Sequence, residues 1–414
     1  MNAAYCPARL ATVLASLTFP FLANAEEPAA TPKPPPDGIK QTFDKNGKLI
    51  AEDTYLSGVL HGPSKKWNGR GTLLVEGAYK SGKMDGVWRE WGLVGHDWTV
   101  EKNYRDGVLH GSFRTRMGSR MSTDGQYIDG VRDGKWVKTS SFDKTINSVT
   151  QFFRRGVRDD TWVYTSNQLP EPIRITFKKG DLMDSPAELK DLPLLKRVKL
   201  LSGPDLPPDP LIERSVDSLF EQVDLEYTET PLYETTYDLV ERFAIPICPD
   251  RPDLERNKRT LEAPVTVKYY GVPLILGLAR IAQLHGLTLD YRYHGIWLTR
   301  RDTADNWKGD PTGAMALAPP KGSVLEKVLE QASKTWHERP SSKDLLTVFE
   351  EQGVKLEISA SAAARRLRDN AQMVHNLSRR MTNREMLGVT LYQSGCVCIE
   401  KNGALVIVPQ TPVQ

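Results

Sequence analysis

Cysteine is scarce. Of four in 414 residues, Cys6 lies before the N-terminal apolar run, leaving Cys248, Cys396 and Cys398 in the rest of the chain. Three thiols do not make a disulfide framework. Cys396-Val-Cys398 places two sulfurs on one face of a strand, where buried packing is the expectation. Long apolar runs are also missing: after residue 22 no stretch reaches the ~18 apolar residues of a membrane helix. Net charge is small, +3 from 55 basic and 52 acidic residues, or +2 without Arg9. That balance gives no electrostatic reason for a nucleic-acid or anionic-membrane partner. Catalytic signatures are absent too. The histidines at 61, 96, 110, 285, 294, 337 and 375 lack metal-binding spacing, and Ser81-Gly82-Lys83 lacks the rest of a phosphate loop. There is no Gly-x-Ser-x-Gly elbow. The expectation is a non-enzymatic chain with no catalytic residue, metal or cofactor.

What is present begins with a leader. Arg9 is the only charged side chain before Glu26, and Leu10 to Leu22 is an apolar run of 13 residues. Ala23-Asn24-Ala25 is a small-x-small cleavage site. The expectation is export to the periplasm or outside, with cleavage after Ala25. Residues 26–37 form a Pro-rich tether.

One phrase then recurs. It reads Tyr55-Leu-Ser-Gly58-Val-Leu-His-Gly62, then Tyr79 to Gly86, Tyr104 to Gly111 and Tyr127 to Gly134. Worn copies run from Phe153 to Asp160 and from Phe177 to Asp184. The aromatic residues are spaced 24, 25, 23, 26 and 24 residues apart, which signals a repeat array. Leu73, Val75, Gly77 and Tyr79 alternate as a half-buried strand. Ser57-Gly58, Ser81-Gly82, Asp106-Gly107 and Asp129-Gly130 suit turns with positive φ. A second strand follows each turn, carrying Trp88 and Trp91 in one repeat and Trp67, Phe113, Trp136 and Trp162 in the others. His61 and His110 hold one repeat position, so a turn role is expected. Stacked hairpins would bury the aromatic faces, each large side chain contributing about 1.5–3 kcal/mol.

These residues resemble the MORN repeat family, in the variant form of bacterial exported and antitoxin-like proteins, through the pattern Tyr-x-x-Gly-x-x-x-Gly-x-aromatic. The resemblance implies a ribbon of consecutive β-hairpins over 38–184. It implies protein contacts, membrane association or scaffolding rather than one activity.

Residues 185–212 are rich in Pro and Leu and read as a connector. Beyond them a second repeat holds an offset of 109: Thr230-Pro231 corresponds to Arg339-Pro340, Ile247 to Leu356, Pro264-Val265 to Met373-Val374, Leu278 to Leu387 and Ile296 to Leu405. Copy one (213–301) has Pro231 at the first position of a helix through Phe243, with Leu232, Leu239, Val240 and Phe243 buried. It continues with a strand at Val265–Lys268 and a helix whose apolar face is Leu274, Leu278, Ile281 and Leu284, stopped by Gly286. A hairpin follows across His294-Gly295. After a linker at 302–320, copy two (321–410) has a capping box, Thr382-Asn-Arg-Glu385, and a hairpin across Asn402-Gly403. Val265-Thr-Val-Lys-Tyr-Tyr-Gly-Val-Pro-Leu-Ile-Leu-Gly-Leu and Gly286-Leu-Thr-Leu-Asp-Tyr are similar to the short domain at the N-terminus of secretins and TonB-dependent transducers. That resemblance implies a periplasmic contact module.

The fold class expected is multidomain: an all-β array of hairpins followed by two small α+β domains. The expected function is a non-catalytic interaction scaffold of a bacterial envelope, with envelope proteins as partners. The alternative is carbohydrate or cell-wall binding by exposed aromatics of the array, with Tyr79, Trp88, Trp91, Tyr104, Tyr127 and Trp136 as candidate binding residues. The array is expected to fold without the modules. Truncation at Glu400 should unfold copy two and spare copy one.

Overall fold

The computed structural model describes residues 36–92, 98–142, 144–201, 216–243, 245–293, 295–331, 342–359 and 382–410. The leader, most of the tether, and the copy-two segments 339–340 and 373–374 lie outside them.

Thirteen strands among the described residues form one sheet in strict sequence order. They are β1 (Gly38–Phe43), β2 (Leu49–Leu56), β3 (Val59–Trp67), β4 (Leu73–Lys80), β5 (Lys83–Trp91), β6 (Trp98–Arg105), β7 (Val108–Met117), β8 (Met121–Ile128), β9 (Val131–Phe142), β10 (Thr145–Arg154), β11 (Val157–Ser166), β12 (Ile173–Lys178) and β13 (Asp181–Asp184). Every pairing is antiparallel. The repeated turns set this. Ser57, Ser81, Asp106, Asp129, Arg155 and Lys179 all have φ between 49° and 53°, each followed by a glycine with φ of 75° to 87°. Two consecutive left-handed residues match the twist of the flanking strands.

Each turn is also stapled to the repeat before it. The N–H groups of Gly82, Gly107, Gly130, Gly156 and Gly180 donate to Leu60, Met84, Leu109, Arg132 and Arg158 carbonyls at 2.7–2.8 Å. The residue before the second glycine of the motif adds a side-chain acceptor for the next turn. His61 Nδ1 accepts from Ser81 N, His110 Nδ1 from Asp129 N, and Asp133 Oδ1 from Arg155 N at 2.9 Å. The repeated histidines therefore serve the turns.

Aromatic rings of successive repeats stack edge to face. Tyr79, Trp88 and Tyr104 form one group, and Phe113, Tyr127 and Trp136 the next. Phe153, Trp162 and Phe177 form a third, more tilted group. One assignment needs correction. Trp67 is the fifth residue after Gly62, matching Trp91 after Gly86; Ser64 holds the place of Trp88. Ser64 is buried and donates to Asp53 Oδ1 at 2.6 Å.

The ribbon has two regimes. From β2 to β8 most positions are half-buried on both faces. In β10 to β12 the alternation becomes sharp, with Val149, Phe153, Trp162, Tyr164, Ile175 and Phe177 buried, because the C-terminal half packs on that face.

A short 3-10 turn (Ala187–Leu189) and α1 (Pro193–Leu201) lead away from the sheet. Module one contains β14 (Gln222–Pro231), α2 (Leu232–Phe243), β15 (Ile247–Pro249), α3 (Arg251–Arg256), β16 (Pro264–Pro273), α4 (Leu274–Leu284), β17 (Thr288–Arg292) and β18 (Gly295–Thr299). β14 pairs with β16, and β15-β18-β17 form a second small sheet. Pro231 ends β14 rather than opening the helix, and Leu284 is exposed at the end of α4 rather than on its buried face. α5 (Arg301–Asp305) and α6 (Val324–Glu330) lead to module two. It contains α7 (Ser342–Glu351), β19 (Lys355–Ile358), α8 (Asn383–Ser394), β20 (Cys396–Lys401) and β21 (Ala404–Pro409), with sheet order β19-β21-β20. The Thr382–Glu385 capping box is formed.

The offset of 109 reproduces the pairing register. Ile247↔Ile296 becomes Leu356↔Leu405, and Leu289↔Leu298 becomes Cys398↔Ile407. The two halves share their packing across the connector. One hydrophobic core runs from Trp136, Trp162 and Phe177 of the array through Leu194 of α1 to Phe220, Leu225 and Leu278 of module one. A second core joins Cys248 and Trp297 of module one to Leu387, Leu405 and Ile407 of module two. Residues 185–212 show little apolar periodicity in the sequence, yet Leu189, Leu192 and Leu194 are enough to carry the core across them.

Candidate interaction surfaces and a buried charge junction

The six aromatic candidates do not form an exposed platform. Trp88 and Trp136 are each only 3% exposed, so neither can offer a ring face to a sugar. Tyr79, Tyr104, Tyr127 and Trp91 are half-buried. Burial pushes the Tyr79, Tyr104 and Tyr127 phenols up, which keeps them neutral donors. The structure brings Tyr79, Trp88 and Tyr104 together, and separately Tyr127 and Trp136; Trp91 sits three residues along β5 on the opposite face.

One row of exposed apolar groups lies instead along the turn edge. Val59, Val108, Val131 and Val157 each follow a turn glycine and are 41–47% exposed. Leu56 and Ile128 precede two of those turns and are exposed as well. Each valine side chain touches the turn glycine of the next repeat: a Cβ on Gly82, Gly130, Gly156 or Gly180 would lie 3.3–3.4 Å from it. The result is a ladder with one rung per hairpin, roughly 10 Å apart. Lys83 takes the rung between Val59 and Val108. Lys80, Arg154, Arg155, Lys178 and Lys179 flank the ladder, against Asp106, Asp129 and Asp181.

The array and module one meet through charge as well as apolar packing. Asp217 accepts from both Arg132 Nη2, at 2.7 Å, and Arg158 Nη2. Lys138 Nζ donates to Glu221 at 2.6 Å, and Gln222 Nε2 to the Thr165 carbonyl at 2.8 Å. Gly271, with φ 66°, is needed here: a Cβ would lie 2.4 Å from Ser166 Cβ.

A second junction is wholly buried. β17 places Asp290 and Arg292 on one face, two residues apart. Arg292 Nε donates to Asp290 Oδ2 and Nη1 to Asp250 Oδ2, both at 2.8 Å. Asp250 caps α3 and also accepts from Tyr392 of α8 at 3.0 Å and Thr299 at 2.8 Å. Arg197 of α1 reaches the other oxygen of Asp290. The Arg292 guanidinium lies 4.1 Å from the centre of the Trp307 ring, with Trp297 and Tyr392 at 5.7 and 5.8 Å. Burial works against its charge, but Tyr392, Asp250 and Asp290 outweigh burial and hold the pKa above the usual arginine value. Arg292 is fully enclosed. The cluster is suited to clasping three segments together rather than to meeting a substrate. The sequence pattern missed it, although Asp290-x-Arg292 inside an apolar strand is the signal of a buried ion pair.

An open hollow of about 330 Å³ beside α2 is lined by Leu232, Leu254, Lys258, Arg259, Thr260, Ala263 and His285. Cys248, Cys396 and Cys398 are buried and unbridged, and burial pushes the Cys398 thiol up to about 12. Among the described residues there is no cluster of three or more His, Cys, Asp or Glu able to hold a metal, and no helix long and apolar enough to cross a membrane.

No family model and no curated protein matches the chain. Two crystal structures of a proposed anti-sigma factor from Parabacteroides distasonis ATCC 8503 are similar to it. One is 10% identical over 63% of this chain and 94% of that one. The other is 11% identical over 58% and 97%. Both have a TM-score of 0.17, at which the likeness supports no argument about this chain.

Proposed function

We propose that the chain is a non-catalytic interaction scaffold exported to a bacterial envelope, with a MORN-like hairpin ribbon as its docking element. The two modules, similar to the short domain of secretins and TonB-dependent transducers, would provide further protein contacts. The observation that carries this reading is the valine ladder at Val59, Val108, Val131 and Val157. Four exposed apolar side chains in one row, three of them on successive hairpins, on a frame stapled turn to turn, make a pre-organised surface, which lowers the entropy cost of binding. Its basic flanks favour an acidic partner with an apolar face. The leader at residues 1–25 supports export.

The test is capture of partners from an envelope fraction by the wild-type chain and by the Val108→Asp/Val131→Asp variant. A specific partner retained by the wild type and lost by the variant supports the reading. Recovery of no envelope partner by the wild type, or equal recovery by both, sinks it.

A further inference from the structure

Among the described residues the array begins with half a repeat. Asp37-Gly38 holds the place at β1 that His61-Gly62, His110-Gly111 and Asp133-Gly134 hold within the second strands of later hairpins. Gly38 has φ 112°, against 109° at Gly62 and 106° at Gly111. It pairs with Tyr55 as Gly62 pairs with Tyr79 and Gly111 with Tyr127. Asp37 Oδ1 accepts from Ser57 N in the role that Asp133 fills for Arg155. β1 therefore corresponds to a second strand, with no first strand before it among the described residues. One period upstream, the sequence has Pro28 and Pro32 where a strand would run and Pro34 where the turn glycine would stand. Proline has no N–H for a ladder and cannot take the positive φ of the turn.

The outer side of β1 meets no strand among the described residues. All six of its residues are exposed, Ile39 by 69% and Phe43 by 53%. An exposed edge with apolar side chains and no internal proline is a template for another strand.

We propose that β1 pairs with β1 of a second copy across a two-fold axis at Gln41, joining two arrays into one antiparallel sheet. Strand direction selects this arrangement. β1 and β13 are both odd members of an antiparallel order, so they run the same way. A head-to-tail copy would set β1 beside β13 in parallel, breaking the pattern of the sheet, whereas a two-fold axis sets β1 antiparallel to itself. Side chains select the register. Centring on Gln41 places Ile39 opposite Phe43 of the other copy, twice, and Lys40 opposite Thr42. Centring on Lys40 would oppose like charges. Five paired residues per copy bury less than a standard interface, so association in the micromolar range or weaker is expected. The dimer needs no other protein, so its failure leaves the docking reading standing.

Sedimentation equilibrium of the chain from residue 26 onward tests this. The mass should double with rising concentration. The Ile39→Lys/Phe43→Lys variant should stay monomeric, because lysines then face each other. The Ile39→Lys/Phe43→Glu variant should recover the doubled mass, because each lysine then faces a glutamate. On mild oxidation, Gln41→Cys should crosslink, since directly opposed Cα atoms lie about 4.5–5.5 Å apart. Lys40→Cys should not, its mate lying roughly 8 Å away by strand geometry. These residues are exposed, so none of the changes threatens folding. A monomeric mass at every concentration, growth beyond a dimer, or equal crosslinking from Lys40→Cys would overturn the proposal.

Discussion

At the scale of single residues, a glycine two positions before Tyr79 and Tyr127 lets an indole lie on the neighbouring strand. A Cβ on Gly77 would sit 2.2 Å from Trp88 Cδ2, and one on Gly125 the same distance from Trp136 Cδ2. Neither glycine needs an unusual φ, so the requirement is space. Gly77→Ala and Gly125→Ala should each cost about 1–3 kcal/mol by forcing the ring out of its seat. Chemical denaturation measures the loss, and a red shift of the indole emission should accompany it. Unchanged stability would mean the ribbon gives way more easily than its packing implies. His285 makes a different residue-scale case. Burial, with help from Arg259, lowers its imidazole pKa below the ordinary value. The unfolded chain then holds more protons than the folded one below about pH 6.5, so stability should fall as pH drops through that region. Thermal unfolding of His285→Gln should depend less on pH between about 5 and 7. Arg259→Gln should raise the imidazole titration followed by NMR.

At the scale of elements, hairpins were the most legible feature because their chemistry is local. A Ser-Gly or Asp-Gly pair carries its own φ preference, and six turns adopt it, including Arg155-Gly156 and Lys179-Gly180, where the first residue is less suited. The module repeat was legible for a related reason: apolar positions at a constant offset fix which strand residues face each other, as Leu356↔Leu405 does. Contacts between elements were not legible. Arg132, Arg158 and Asp217 read as ordinary surface charges until the fold brings them together across 59 to 85 residues. Arg292 is the sharpest instance. Its partners Asp250, Asp290 and Tyr392 come from three elements, and beyond Asp290-x-Arg292 no local pattern announces their meeting. Arg292→Met leaves the Asp250 carboxylate buried without its cation and should cost about 3–5 kcal/mol. Adding Asp250→Asn should return part of that loss, since the uncompensated charge goes with it. Urea denaturation of both variants checks this. A loss under about 1 kcal/mol for Arg292→Met would show that the clasp is not what holds the modules together.

At the scale of the whole molecule, the two cores make the chain a relay rather than a string of beads. The ribbon leans on module one through Trp162, Tyr164, Ile175 and Phe177, and module one leans on module two through Trp297 and Cys248. Truncation at Glu400 removes β21, and with it Leu405 and Ile407. Module two should unfold and the Trp297 ring should become wet, so copy one is weakened rather than spared. Limited proteolysis should then release a fragment ending between residues 300 and 320, less stable than the intact protein. Truncation at Asp184 asks more. The remaining ribbon keeps every turn staple, but β10 to β12 lose the layer that buries their aromatic face. A large side chain returned to water costs about 1.5–3 kcal/mol, while the stacked hairpins from β2 to β8 lose none of their own contacts. The array fragment should therefore melt from its C-terminal end: amides of β10 to β12 should exchange with solvent much faster than in the intact chain, while those of β4 to β7 stay protected. Equal protection along the fragment would show that neighbour contacts alone hold the ribbon, and that the shared core adds nothing to its stability.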